Sequence, residues 1–202
     1  MGKSIEHPLE WDYDQLVVGL DEAGRGPIAG PVVVAGVVFE KNYFHPDIYD
    51  SKKLTEKKRE ALYSQIIEQA LWYKIVFVDE KTIDQKNIYR ACQDAMFEIA
   101  KEAEASVVLT DAMPLPNLEK EVHAIVKGDQ QSICIAAASI LAKVSRDHYM
   151  VELDKQYPEY GFKNHKGYPT KQHLQALETY GVLECHRKSY GPVQKQLQIK
   201  LF

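Results

Sequence analysis

The chain has 202 residues, a length that favours one domain with a full hydrophobic core. Hydrophobic residues make up 45% and charged residues 27%, which excludes wholesale disorder, a coiled-coil rod and a collagen-like polymer. The net charge of −4 does not mark a nucleic-acid binder, but local charge decides that, and it is segregated here.

Residues 16–20 (LVVGL) form a short apolar run that ends at two acids and reads as a buried strand. A turn-rich stretch, 23–31, leads to 32–39 (VVVAGVVF), a second strand dense in β-branched residues. The short connection predicts antiparallel pairing. Residues 51–71 read as a helix, with Leu54, Ala61, Leu62, Ile66 and Ala70 near helical spacing. Residues 73–78 (YKIVFV) are a third strand. Residues 87–105 are a second helix, with Ile88, Ala91, Ala95, Ile99 and Ala103 along one face. A fourth strand, 106–110 (SVVLT), ends at Asp111, and 121–126 (EVHAIV) is the fifth. The strongest helix is 131–156, where Ile133, Ala136, Ala137, Ile140, Leu141 and Val144 follow the i, i+3, i+4, i+7 pattern. Pro158, Gly161 and Gly167 break it, a short helix is expected at 170–180, and the polar tail after Gly191 receives no element.

Strands alternating with helices predict an α/β fold, and the opening hairpin makes its five-stranded sheet mixed. The expected organisation is a core over 1–156 and a small helical C-terminal part over 157–202. The polar N-terminus carries no secretory signal, no run is long enough for a membrane helix, and no membrane contact is expected. Cys92, Cys134 and Cys185 are odd in number and contain no C-x-x-C pair. That argues against disulfides and a thiolate zinc site, and for a reducing, cytoplasmic setting.

Asp21 and Glu22 follow one buried strand directly, and Asp111 ends another. If those strands are parallel neighbours, the acids meet where open α/β sheets bind ligands. Asp129 follows the fifth strand and makes a fourth acid. Clustered carboxylates repel and need cations, and hard oxygen ligands select Mg²⁺ or Mn²⁺. Two such ions can activate water and stabilise a leaving oxygen in phosphodiester hydrolysis. Strand alternation, however, sends Asp21 and Glu22 to opposite faces unless the strand ends or bends there. Taken singly, each acid reads more simply as a turn or cap residue.

Two basic stretches accompany the acids. Residues 52–59 (KKLTEKKR) carry five bases against one acid. Residues 163–188 carry Lys163, Lys166, Lys171, Arg187 and Lys188 against Glu178 and Glu184. On the long helix, Ser139, Lys143 and Arg146 share a face away from the apolar stripe, which leaves Lys143 and Arg146 for ligand or solvent. The GRGPIAG run superficially matches a dinucleotide fingerprint, but Pro31 and a strand follow where a helix is required. A Gly-Arg-Gly turn beside acids suggests close backbone approach to a polar ligand, with Arg25 within reach of a phosphate.

Asp21, Glu22, Ala23, Gly24, Arg25, Gly26 and Pro27 together resemble the motif of the ribonuclease HII family. The resemblance continues in order through Asp50, Ser51, Lys52, Lys53 and Leu54, then Asp111, then Lys127, Gly128 and Asp129. It runs on through IAAASILAK at 135–143 with Arg146 and Asp147, through Gly167, Tyr168, Pro169 and Thr170, and through His186, Arg187, Lys188 and Ser189. It covers roughly residues 16–192.

The resemblance implies a ribonuclease H-like fold and two-metal hydrolysis of RNA in RNA/DNA hybrids. It implies cutting 5′ of a single ribonucleotide embedded in duplex DNA, leaving 3′-hydroxyl and 5′-phosphate ends, in removal of misincorporated ribonucleotides. Asp21, Glu22, Asp111 and Asp129 would be the catalytic, metal-binding acids for two Mg²⁺ or Mn²⁺ ions. Gly24, Arg25 and Gly26 would read the 2′-hydroxyl through backbone groups, since that hydroxyl separates RNA from DNA. Tyr168 would stack on the next, deoxy sugar. Lys52, Ser139, Lys143, Arg187 and Ser189 are further substrate-contact candidates. A monomer is expected, and a replication clamp is the partner to seek at the tail. One departure stands out: Ala112 follows Asp111 where the family often has Gly, so a different loop shape is expected there.

Three other readings compete. The sister enzyme ribonuclease HIII carries an extra N-terminal domain and lacks the Gly-Arg-Gly turn, and only about 15 residues precede the first strand here. A non-catalytic nucleic-acid module would not need four acids. A phosphatase for small esters would not need the basic stretches.

Overall fold

In the computed structural model, which describes residues 4–199, the five expected strands form one mixed sheet. They are β1 (Val17–Ala23), β2 (Val32–Val38), β3 (Trp72–Val78), β4 (Val107–Asp111) and β5 (Glu121–Ile125). Their order is β3-β2-β1-β4-β5. β1 pairs antiparallel with β2, as the short connection predicts, and parallel with β4, so the C-terminal ends of β1 and β4 are neighbours. β4 runs parallel to β5 and β2 antiparallel to β3.

Every residue of β2 is buried. Alternation sends Val33, Ala35 and Val37 to one face and Val32, Val34 and Val38 to the other. The first face is covered by α1 (Glu56–Gln69) and α4 (Ile133–Gln156), the second by α3 (Ile88–Glu102). Ser132 starts α4 by accepting a hydrogen bond from Ile135 N at 3.2 Å. The small residues Ala136, Ala137 and Ala138 are wholly buried. Gly19 permits the close approach of α4 to β1, because a Cβ there would lie 2.3 Å from Cys134 C and Ile135 N.

The helix read as 51–71 is two elements. Asp50 caps a 3₁₀ turn at Ser51–Lys53, and Thr55 then caps α1 by accepting from Lys58 N. Three helices were not anticipated. One is α2 (Glu80–Lys86), capped by Asp79. The second is α5 (Phe162–His165); the helix expected at 170–180 follows as α6 (Lys171–Tyr180), and the third is α7 (Gly191–Ile199). α7 occupies the tail that received no element, and its Val193 is buried with Ile28 and Leu177. Residues 200–202, the end of the tail singled out for a clamp, lie outside the described residues. All three cysteines are buried and free. Among the described residues no helix is long and apolar enough to cross a membrane.

Candidate active site

The acids meet because of the β1–β4 register. Leu20 sits opposite Thr110, so Asp21 and Asp111 follow at neighbouring strand ends. Val17, Val107 and Leu109 share a core cluster with Ile135 of α4, and alternation places Asp21 and Asp111 on that same face. Asp111 is held in place by Gly128, whose N–H donates to its Oδ1 at 2.9 Å. Asp129 sits in the 3₁₀ turn Gly128–Gln130 after β5, entered through the left-handed Lys127. All four acids thereby collect at one sheet edge.

The difficulty of alternation resolves without a bend. β1 continues through Ala23, paired with Val33. Asp21 lies towards α4, bordering the same groove as Ser139, and accepts from Glu22 N at 2.7 Å. Glu22 starts on the other face, but its longer side chain borders the same groove, 3.4 Å from Arg25 Nη1.

Electrostatics mark the acids as a strained set. Burial, then the charges of Glu22 and Asp111, hold the Asp21 carboxyl well above its ordinary range. Glu22 is also raised, chiefly by burial and against the opposing pull of Arg25. Asp129 is pushed up to about 6 by burial, then by Asp50 and Asp111. Asp50 is a fifth, buried acid, which accepts from Lys52 N at 3.0 Å and whose charge bears on Asp129. Glu22 Oε2 is buried with no hydrogen-bond partner. An orphaned oxygen among mutually repelling carboxylates is what a hard divalent cation relieves, so the donor set fits Mg²⁺ or Mn²⁺. As the side chains stand, no group of three or more His, Cys, Asp or Glu among the described residues is already gathered around one ion position.

Of these acids, Asp21 and Glu22 border an open groove of about 280 Å³. Its lining includes Asp21, Glu22, Gly24, Arg25, Gly26, Lys52, Ser139, Lys143 and Tyr168. Gly24 takes φ +100°, a conformation that glycine adopts without strain. Arg25 and Gly26 are exposed. The Tyr168 ring stands over the turn: a Cβ on Gly26 would lie 3.2 Å from its Cε1. Lys52 is exposed, whereas Lys143 donates to Asp147 at 2.6 Å. Ser139 Oγ lies 2.8 Å from Ser51 Oγ, tying α4 to the 3₁₀ turn. Arg59, part of the basic stretch but not singled out, also borders the groove and donates to the Ser51 and Leu54 carbonyls.

Two expectations need correction. Arg187 does not face the groove: it is fully buried, with its donors on the carbonyls of Gly24, Arg25 and Gly30 and the Tyr190 hydroxyl. Arg146 is not free either. Only 1% exposed, it donates to the carbonyls of Ala29, Pro31 and Lys166. Periodicity correctly removed it from the apolar stripe, but the segment after α4 folds over that side. Ser189 is exposed and caps no ligand site here: its N–H and hydroxyl both donate to Asp84 of α2. Ala112 itself takes a left-handed backbone conformation, with φ +57°.

The family profile described as Ribonuclease HII matches residues 18–193. A curated Ribonuclease HII from Francisella tularensis subsp. mediasiatica (strain FSC147) is 52% identical over 181 residues, spanning 89% of this chain and 97% of the relative. The crystal structure of the ribonuclease H2 from Pyrococcus horikoshii OT3 matches with a TM-score of 0.79 at 26% identity, over 91% of this chain and 98% of that one. A chain of the PCNA:RNase HII complex from Archaeoglobus fulgidus matches with a TM-score of 0.75 at 26% identity, over 87% and 95%.

Proposed function

Since the chain belongs to the ribonuclease HII family, and is therefore a ribonuclease H that cuts phosphodiester bonds endonucleolytically, we propose that it cleaves 5′ of single ribonucleotides embedded in duplex DNA as well as within RNA/DNA hybrids. The products are a 3′-hydroxyl and a 5′-phosphate, and the reaction serves removal of misincorporated ribonucleotides. The observation that carries this reading is the groove itself, which is lined both by Asp21 and Glu22, the latter with an unpartnered oxygen, and by the Gly-Arg-Gly turn.

Asp21, Glu22, Asp111 and Asp129 would hold divalent cations, Mg²⁺ or Mn²⁺. When bound, a pair of such ions supplies an activated water and charge stabilisation for the leaving oxygen. The chain's own residues do the rest. The Gly128 N–H fixes Asp111, and the Glu22 N–H donates to Asp21. Exposed Lys52 and partly exposed Lys143 attract the phosphate backbone, which makes binding weaken as salt rises. The Gly24, Arg25 and Gly26 turn meets the 2′-hydroxyl. Tyr168, 45% exposed and over Gly26, would offer its ring to the sugar of the next, deoxy nucleotide and reject a 2′-hydroxyl there. A cytoplasmic setting is supported by the three free, buried cysteines. Contact of the C-terminal tail with a sliding clamp is supported only by the complex in which the Archaeoglobus fulgidus protein was solved.

The test is a cleavage assay on duplex DNA carrying one ribonucleotide, beside an all-DNA duplex and a continuous RNA/DNA hybrid, with and without Mg²⁺ or Mn²⁺. Metal-dependent cutting 5′ of the ribonucleotide, with the all-DNA duplex intact, is expected. Tyr168→Ala should impair the single-ribonucleotide substrate more than the hybrid. Cutting of hybrids alone would move the assignment to the sister enzyme's preference. Tight binding in EDTA with no cutting at all would leave a binding module.

A further inference from the structure

The residues from 185 to 190 form the back wall of the Gly-Arg-Gly turn. Gly30 N donates to Cys185 O at 2.9 Å, and Arg187 N to Ile28 O at 2.9 Å. The buried Arg187 guanidinium then reaches the turn itself. Its Nη2 donates to Gly24 O at 2.7 Å, its Nη1 to Arg25 O at 3.1 Å, and its Nε to Gly30 O at 2.9 Å. Tyr190 Oη adds a second bond to Arg25 O at 2.7 Å and accepts from Arg187 Nη1 at 3.1 Å. Five hydrogen bonds thus join two side chains and three carbonyls of one turn.

The peptide plane converts this into an aim. In a trans peptide the C=O of one residue and the N–H of the next point in opposite directions. Holding the Gly24 carbonyl inward therefore turns the Arg25 N–H outward. Holding the Arg25 carbonyl inward does the same for the Gly26 N–H. Among the described residues neither N–H donates to any protein acceptor. Both residues are exposed, and both line the groove.

We propose that Arg187 and Tyr190 are specificity-determining positioning residues. By pinning the Gly24 and Arg25 carbonyls they aim the Arg25 and Gly26 N–H groups into the groove, as the donors to the ribonucleotide's 2′-hydroxyl oxygen. Arg187 suits the task because its planar fork spans three carbonyls and a hydroxyl at once, which an ammonium cannot. The inference rests on the reading that this turn recognises the 2′-hydroxyl, and the experiment separates the two.

Three variants are compared by kcat/KM on a single-ribonucleotide duplex and on a continuous hybrid, with thermal midpoints recorded for each. A hybrid presents a 2′-hydroxyl in every register, so loss of aim costs less there than where one hydroxyl must be found. Tyr190→Phe keeps the ring and removes one donor, and should lower the single-ribonucleotide rate about three- to tenfold, with a smaller loss on the hybrid. Arg187→Lys should lower it further, by about ten- to a hundredfold, in the same order of substrates. Gly26→Ala probes the turn directly by putting a methyl group 3.2 Å from Tyr168 Cε1, and should also shift the substrate ratio. A falling ratio in all three supports the proposal. A shifted ratio in Gly26→Ala alone overturns the proposal and keeps the turn reading. An unchanged ratio in all three overturns both. Should Arg187→Lys fail to fold, Tyr190→Phe decides by the same ratio.

Discussion

Buried polar groups are treated in opposite ways on the two sides of the Gly-Arg-Gly turn. On the sheet side, Asp21, Glu22 and Asp129 are crowded, desolvated and raised in pKa, and a Glu22 oxygen has no partner. On the C-terminal side, Arg146 and Arg187 are as deeply buried, yet seven of their hydrogen bonds reach protein acceptors. His173 and His186 behind Tyr168 are likewise satisfied, lying 3.1 Å apart through their Nε2 atoms. Burial alone therefore does not mark a functional group in this molecule. An orphaned oxygen alone does not either, since Glu10 and Glu80 each carry one as well. What sets the chemical side apart is an orphaned oxygen among mutually repelling carboxylates, while the satisfied arginine side holds the shape.

The sharpest way to break this comparison is to substitute on both sides. Asp21→Asn or Asp111→Asn should cut cleavage by about three orders of magnitude or more. The metal-free thermal midpoint should stay level or rise, because repulsion is relieved. Arg146→Met should do the reverse in kind, costing about 3 kcal/mol or more in urea unfolding, since three buried carbonyls lose their donor. A nuclease-dead Arg146→Met with unchanged stability would erase the distinction.

A subtler effect is in the pH dependence. Asp129, raised to about 6, contributes stability at low pH that is lost as pH climbs from about 4 through 6. His173 and His186, each lowered to about 4 chiefly by burial, contribute stability above their unfolded value of about 6.5, lost as pH falls towards 4. The two slopes oppose each other between pH 4 and 6.5. Asp129→Asn removes one of them and should steepen the rise of the urea midpoint with pH, by about 1–2 kcal/mol across that window. The smallest expected effect is at Ala112, whose φ of +57° costs a Cβ-bearing residue energy. Ala112→Gly should raise stability by about 0.5–1 kcal/mol by urea unfolding, after the extra freedom glycine gains in the unfolded chain.

The strands were legible because β-branched runs such as 32–38 admit few alternatives, and α4 because its apolar spacing persists for several turns. α2 escaped notice because it buries only Ile83, and α7 because its sequence is polar with one deeply buried anchor, Val193. The convergence of Asp21 and Asp111 followed from strand order, whereas Asp50 was missed because its role depends on a loop packing beside Asp129. Helical spacing left Arg146 to ligand or solvent, and the family resemblance alone made Arg187 a substrate contact. Spacing tells which side of a helix a residue occupies, but not that a distant segment will cover it.

The most direct test of the central claim, that the acid cluster is built for divalent cations and the arginine side is not, is the thermal midpoint in Mg²⁺ or Mn²⁺ against EDTA at pH 8. Ion at a hundredfold excess over its Kd adds about 2.7 kcal/mol, or roughly 5 °C or more for a chain of this size. The wild type should show that rise, Asp21→Asn and Asp111→Asn should lose most of it, and Arg187→Lys should keep it. No rise in the wild type, or the same rise in the two aspartate variants, would contradict the account.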